Sequence, residues 1–191
     1  MAKIIVLNAP PGAGKDTIGG LVKDYSPVPL RNLAFKQPMF DIAKAILGVH
    51  RFKMFMAAYN DRSRKEQSHS FLMGMTCREF MIWISEEVIK PRFGNGYFGK
   101  MFAEMAEANE IPVICTDGGF PDEIIELVRR GHEVKVCRLH RSGYTFEGDS
   151  RDYIHISKGT LCGGYGEHDY ILVDNDPMHT VNEIIRDHLA K

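Results

Sequence analysis

The residues best suited to chemistry lie at the start of the chain, in Ala9-Pro-Pro-Gly-Ala-Gly14-Lys15-Asp16-Thr17. They follow a β-branched apolar run and open a helical pattern, the setting a phosphate-binding loop requires. Gly12 and Gly14 let backbone N–H groups converge on phosphate oxygens, and the helix N-terminus adds positive potential. Lys15 would reach the β- and γ-phosphates of a donor nucleotide, so Pro11, Gly12, Ala13, Gly14, Lys15, Asp16 and Thr17 are read as the ATP-binding stretch. The strict pattern ends Gly-Lys-Ser/Thr, whereas here Asp16 takes the last place, Thr17 comes one step later, and Ala9 replaces the first glycine. A carboxylate beside a polyphosphate must be offset by Mg²⁺, by Lys15 or by an acceptor proton. Asp16 is thus a helix-start acid favoured by the dipole, a ligand to a metal-bound water, or a general base.

A second group is Thr116-Asp117-Gly-Gly-Phe-Pro-Asp-Glu123. An acid at the carboxyl end of a buried strand lies on the edge where open α/β sheets bind ligands. Asp117 is read as a Mg²⁺ group acting through water or as an acceptor-orienting group, against the plainer reading of a turn. Gly118 and Gly119 let something approach the backbone closely. Residues 102–126 hold seven acids and no Lys or Arg. Most of these are read as solvated helix faces, with site roles kept for Asp117 and Glu123.

The elements that must position these groups are legible in outline. Lys3–Asn8 reads as a buried parallel strand, followed by a helix from Lys15 to about Asp24. A helix is expected over 37–47. Thr76 with Glu79 three residues on forms a capping-box signature, and 97–109 is amphipathic. Strands are expected at 113–116, 133–139 and 170–173, with helices opening at Pro121 and covering 181–189. Residues 141–168, rich in Gly and polar groups, read as a lid-like excursion. Strands alternating with helices imply a mainly parallel sheet covered on both sides.

Composition sets the frame. A chain of 191 residues with 44% hydrophobic and 26% charged residues is one domain of ordinary globular make-up. The formal net charge of -1 gives no global attraction to nucleic acid. Locally, residues 50–65 carry five Lys/Arg against Asp61, and 129–141 carry five against Glu133. Both are read as solvated faces or as contacts for backbone phosphates. Cys77, Cys115, Cys137 and Cys162 are scattered and read as core filler in a reducing cytosol. Cys137-Arg-Leu-His140 has a metal-like spacing but no second half. The run Ile4–Leu7 is too short for a signal peptide, and no apolar stretch nears the roughly 20 residues that span a bilayer.

The Gly-Lys-Asp-Thr loop resembles that of the viral and bacterial deoxynucleoside monophosphate kinases. Other blocks are similar in matching order. They are Leu33-Ala34-Phe35-Lys36-Gln37-Pro38-Met39, Thr76-Cys-Arg78-Glu79-Phe80, Asn95-Gly-Tyr-Phe98, Asp117 to Glu123, and Asp174-Asn175-Asp176. The resemblance covers nearly the whole chain, though only the phosphate loop and the Asp-to-Glu block are specific. It implies a three-layer P-loop NTPase-type fold with an acceptor-binding helical insertion over about 36–109. It also implies ATP as phosphoryl donor, Mg²⁺ held by Thr17 and Asp117, and catalytic roles for Lys15, Asp16, Asp117 and Arg78. Phe35, Lys36, Arg78, Gly118 and Gly119 fall at the acceptor, and Arg141 and Arg151 fall in the lid.

One departure bears on the acceptor. Gly119 stands where the family places an arginine, a group suited to an anionic phosphate. Arg78, Arg31 or Arg141 are the expected substitutes. The acceptor is therefore read first as a deoxynucleoside monophosphate, giving the diphosphate. The alternative is the hydroxymethyl group of 5-hydroxymethyluracil in phage DNA, since the phage kinases acting on it are similar P-loop proteins; Asp117 or Asp16 would then take the hydroxyl proton. A non-catalytic ATP-binding module is the second alternative. Expected partners are a small nucleotide or modified DNA, with no membrane and a homodimer left open, in the cytoplasm (a host's, if the protein is viral).

Overall fold

The computed structural model describes residues 1–149, 151–157, 159–161 and 163–190, so Cys162 lies outside the described residues. The chain divides into two compact units, residues 1–35 with 98–191 and residues 36–97.

The first unit is built on β1 (Lys3–Asn8), which leads through the Gly-rich loop into α1 (Lys15–Tyr25) and a short β2 (Arg31–Asn32). The second unit carries α2 (Gln37–Tyr59), α3 (Arg62–Lys65), α4 (Cys77–Ile82) and α5 (Lys90–Phe93). Helix α6 (Tyr97–Glu107) returns the chain to the first unit. There follow β3 (Val113–Cys115), α7 (Pro121–Arg129), β4 (Glu133–His140), β5 (Tyr165–Ile171) and α8 (Pro177–His188).

The five strands form one sheet in the order β2-β3-β1-β4-β5, and every strand pairing is parallel. Period-two alternation sends Ile4 and Val6 of β1 to one face and Ile5 and Leu7 to the other. The first face is covered by Phe102, Ala103 and Ala106 of α6 and Ile124 and Leu127 of α7. The second is covered by Ile18 and Val22 of α1 and Val181 and Ile184 of α8. The three-layer α/β fold expected from the sequence is the observed one.

This strand order decides where a ligand can sit. The chain leaves β1 toward β2 by way of α1 on one face, and leaves β3 toward β4 by way of α7 on the other. The connections diverge there, which makes the carboxyl ends of β1 and β3 the topological switch point of the sheet, the place where open α/β sheets bind ligands.

The helix expected over 37–47 is observed, and the non-helical backbone of Gly48 (φ 69°, ψ 169°) separates it by a kink from a second helical stretch that runs to Tyr59 within α2. Two expectations need correction. The last strand begins at Tyr165, not at 170, and pairs with β4 over seven positions. The stretch expected as an excursion is also partly core. Ile154 is fully buried against the α6/α7 face, and its N–H donates to Asn8 Oδ1 at 2.9 Å.

The second unit has its own aromatic core. Phe55 is fully buried, with the rings of Phe40, Phe52, Tyr59 and Phe80 within 5.6–6.3 Å. Thr76 and Glu79 form the expected capping box at the start of α4. Beyond α4 the helix widens to π-helical form over Trp83–Ile89 and then tightens into α5.

Candidate active site

Two tight turns build the site within the first unit. The Gly-rich loop follows β1, with Ala13 N–H donating to Pro10 O at 3.2 Å and Ile18 N–H to Gly14 O at 3.0 Å. Gly12 and Gly14 both take positive φ (77° and 107°), which a side chain would strain, and Gly14 is the N-cap of α1. No side chain caps this helix, so its first N–H groups face the loop's concavity. Lys15 is half-buried there, while Asp16 and Thr17 are exposed in the first turn.

The second turn follows β3. Asp117 Oδ1 accepts the Phe35 N–H at 2.9 Å and the Cys115 S–H at 3.1 Å. The carboxylate therefore ties the end of β3 to the segment after β2. Phe35 itself is buried and stacks on Phe102 with ring centroids 4.3 Å apart, so its ring is core, not an acceptor face. Burial, and after it the charge of Asp117, raises the Cys115 thiol above its ordinary pKa, which leaves it a neutral donor. A Cβ at Gly118 would lie 2.5 Å from Val6 Cγ1. The glycine is required by packing against β1, and that packing holds the two turns side by side.

The segment after β4 leans over both turns. Arg141 donates from Nη1 to Ala13 O at 3.4 Å, and Asp174 accepts from its Nε and Nη2 at 3.1 and 3.0 Å. Its guanidinium carbon lies 5.0 Å from the Tyr144 ring centroid, and that ring is 3.4 Å from where a Cβ of Gly12 would be. Arg141, expected as a lid residue, thus lies against the phosphate loop. Arg151, the other lid candidate, lies against the second turn. Its aliphatic stem covers Gly119, and Asp149 accepts from its Nε and Nη2, both at 2.8 Å.

Arg31 and Glu123 belong to the first unit, and Lys36 and Arg78 to the second. Arg78 is exposed and pairs with Glu66 at 3.1 Å, and Lys36 lies 6.0 Å from the Tyr59 ring centroid. Of the basic stretches, 129–141 is neutralised from within. Arg129 pairs with Glu126, Arg130 with Glu104, Lys135 with Glu133, Arg138 with Glu167 and Asp169, and Arg141 with Asp174. Sequence reasoning missed Tyr144 and Asp149. The only signal for Asp149 was its place two residues before Arg151, and Tyr144 had none beyond its Gly-rich setting.

No protein-family model and no curated protein matches the chain. Among solved structures, it is similar over 98% of its length to 89% of a gluconokinase from Sinorhizobium meliloti, at 13% identity and a TM-score of 0.42. It is similar over 97% to 94% of a sugar kinase from Janibacter sp., at 12% identity and a TM-score of 0.45. An uncharacterized protein from Eubacterium ventriosum is matched over 97% of both chains, at 12% identity and a TM-score of 0.39. Likeness at this level leaves the fold to rest on the strands and helices themselves.

Proposed function

We propose that this chain is an ATP- and Mg²⁺-dependent phosphotransferase whose acceptor is a deoxynucleoside monophosphate. The observation that carries the reading is the Gly-rich loop ending in Lys15, set between β1 and an uncapped helix start at the switch point of a parallel sheet. Loop amides and Lys15 bind the donor's phosphates. Thr17, exposed in the first turn, and half-buried Asp117 are the groups that would hold Mg²⁺, which takes one or two protein ligands and otherwise keeps water and phosphate oxygens. Bound there, the ion would supply positive charge to the β- and γ-phosphates.

In the transfer, an acceptor phosphate oxygen attacks the γ-phosphorus. The bond to the β–γ bridging oxygen breaks, and ADP leaves with the electron pair. Catalysis of this kind is mostly positioning and charge neutralisation. A phosphate oxygen is already ionised at neutral pH, so no base is needed. That suits a site in which Asp117 Oδ1 already accepts two hydrogen bonds. The internal pairing of all five cations in 129–141 also supports a small acceptor over DNA.

The runner-up, transfer to hydroxymethylated bases in DNA, draws support from one place. Arg51, Lys53, Arg62, Arg64 and Lys65 make no ion pair among the described residues, and such a patch can track a phosphate backbone.

The deciding experiment is a labelled-ATP transfer screen. It offers the four deoxynucleoside monophosphates, hydroxymethyl-deoxyuridine monophosphate and hydroxymethyluracil-containing DNA, at low and high salt. Transfer to a mononucleotide with a shallow salt dependence is expected. Labelling of DNA alone, falling steeply with salt, promotes the runner-up. ATP binding with no transfer to any acceptor identifies a non-catalytic module.

A further inference from the structure

Gly119 and Arg151 occupy one space. A Cβ on Gly119 would lie 2.8 Å from Arg151 Cγ and closer still to Cδ, a separation real Cβ atoms do not adopt. Any side chain at 119 therefore displaces the stem of Arg151. What that stem carries is a fixed charge. Asp149 grips the guanidinium along one edge, through Nε and Nη2, and its Oδ1 also accepts the Arg151 backbone N–H at 3.0 Å. The Asp149 side chain is only 6% exposed, so its side of the grip is shielded from water. The Asp149 bond, with the charges of Asp149, Asp117 and Glu123, outweighs burial and raises Arg151 above its ordinary pKa.

The opposite edge of the same guanidinium is uncommitted. Among the described residues Nη1 makes no hydrogen bond, and the side chain keeps 24% of its surface exposed. A planar cation with one edge locked and one edge open, beside the turn that begins at Asp117, has the form suited to bidentate capture of a phosphate.

We propose that Arg151 binds the acceptor's phosphate monoester, and that residue 119 is glycine because the stem of Arg151 fills its place. The inference rests on the phosphotransferase reading and deepens it: the acceptor enters with a phosphate, as a mononucleotide does, and Asp149 is the positioning residue that aims the arginine. Charge-assisted bonds of this kind are worth about 1.5–3 kcal/mol, or roughly tenfold to a hundredfold in affinity.

The test uses the whole protein and whichever deoxynucleoside monophosphate gives transfer. Arg151→Met is expected to raise the acceptor KM by about tenfold or more while leaving ATP affinity within about twofold. Gly119→Ala should do the same by pushing the arginine aside. The relocating pair Gly119→Arg with Arg151→Gly should bring the acceptor KM back to within about tenfold of wild type, because the guanidinium re-enters the same space from the other side. A melting-temperature cycle gives a readout independent of turnover. Gly119→Ala should destabilise the parent and be nearly neutral in an Arg151→Gly background.

An unchanged acceptor KM in Arg151→Met, with lower stability, makes the arginine a strut and overturns the assignment. Equal destabilisation by Gly119→Ala in both backgrounds overturns the shared space. A wild type that transfers nothing from ATP sinks the phosphotransferase reading instead, so the two failures are distinguishable.

Discussion

Arg138 and Arg151 stand on the same unit of the molecule, each gripped by carboxylates, and they differ in what is left over. Arg138, on β4, spends every nitrogen. Nε and Nη2 donate to Asp169 at 2.9 and 2.6 Å, and Nη1 donates to Glu167 at 2.9 Å and to Ile154 O at 3.3 Å. Burial pushes Glu167 up. The Tyr165 hydroxyl, the Ile156 N–H, His155 and Arg138 together still hold it below the usual carboxylate value. Such a cluster is closed. It joins β4 to β5, and the donors of Arg138 are all spent within it. Arg151 is gripped on one edge only, at a turn where two glycines remove side chains that would cover it. The difference teaches that charge in a fold is functional where its hydrogen bonding is incomplete, and structural where it is complete.

That contrast can be broken first at the phosphate loop. On the proposed reading, Lys15→Ala removes a cation from the transferring phosphates, and kcat should fall about 10²-fold or more with the melting temperature nearly unchanged. Steady-state kinetics beside a thermal melt reads both. Wild-type turnover in this variant would mean the loop does not hold a donor.

The closed cluster predicts the reverse pattern. Arg138→Met leaves Glu167 and Asp169 facing one another with their main cation gone, and only 17% of the arginine's side chain and 14% of the glutamate's are exposed. Unfolding free energy should drop by about 2 kcal/mol, with acceptor and ATP KM within about twofold of wild type. Denaturant titration and kinetics on the same preparation check this. Loss of turnover at unchanged stability would move Arg138 into the site and erase the contrast.

The sequence carried these two regions unequally, for physical reasons. The Gly-rich turn into α1 was legible because its cues are local: glycines, a lysine and a helix start within nine residues. Strands β1 and β3 were legible because both faces are buried and their residues run apolar, and β4 because buried Val134 and Val136 alternate with polar neighbours. Strand β5 was not. Its Tyr-Gly-Glu-His-Asp-Tyr-Ile sequence shows no apolar alternation, because it is an edge strand whose Asp169 sits opposite Arg138 and replaces hydrophobic pairing with an ion pair. The helix expected to end at Leu47 does meet a non-helical Gly48, and only the second helical stretch beyond it, to Tyr59, was not read from the sequence. The pairing of Gly119 with Arg151 spans 32 residues and leaves no periodic trace. Only the packed chain reveals why 119 has no side chain.

The smallest expected effect lies in a third place, at the C-terminal end of α8, where a buried group that can titrate is hydrogen-bonded to Tyr170. His188 is 3% exposed, and its Nε2 lies 2.9 Å from the Tyr170 hydroxyl, which is also 3.1 Å from Asp187 Oδ2. The His168 ring is 4.6 Å away. Burial first, then the charge of His168, with Lys3 and Lys135 adding to them, brings His188 down to about 4 despite the opposing charge of Asp187. A histidine depressed in the folded state takes up its proton more readily when unfolded. Its stabilising contribution is thus complete above the ordinary imidazole value near 6.5 and is lost as pH falls from there toward 4. By pH 5.5 the loss should be about 1 kcal/mol. Buried His132, also lowered by desolvation, adds to the slope in the same direction. The carboxylates Glu167, Asp169 and Asp187, held below their usual values, give up their contributions only at lower pH. Denaturant unfolding at pH 7.0 and 5.5 therefore isolates the imidazoles. His188→Gln should reduce the difference between the two conditions and leave the acceptor KM at pH 7.0 unchanged. A variant whose stability falls as steeply as wild type over that interval would show that His188 is not the group responsible, and that the closed surroundings of Tyr170 do not exclude its proton.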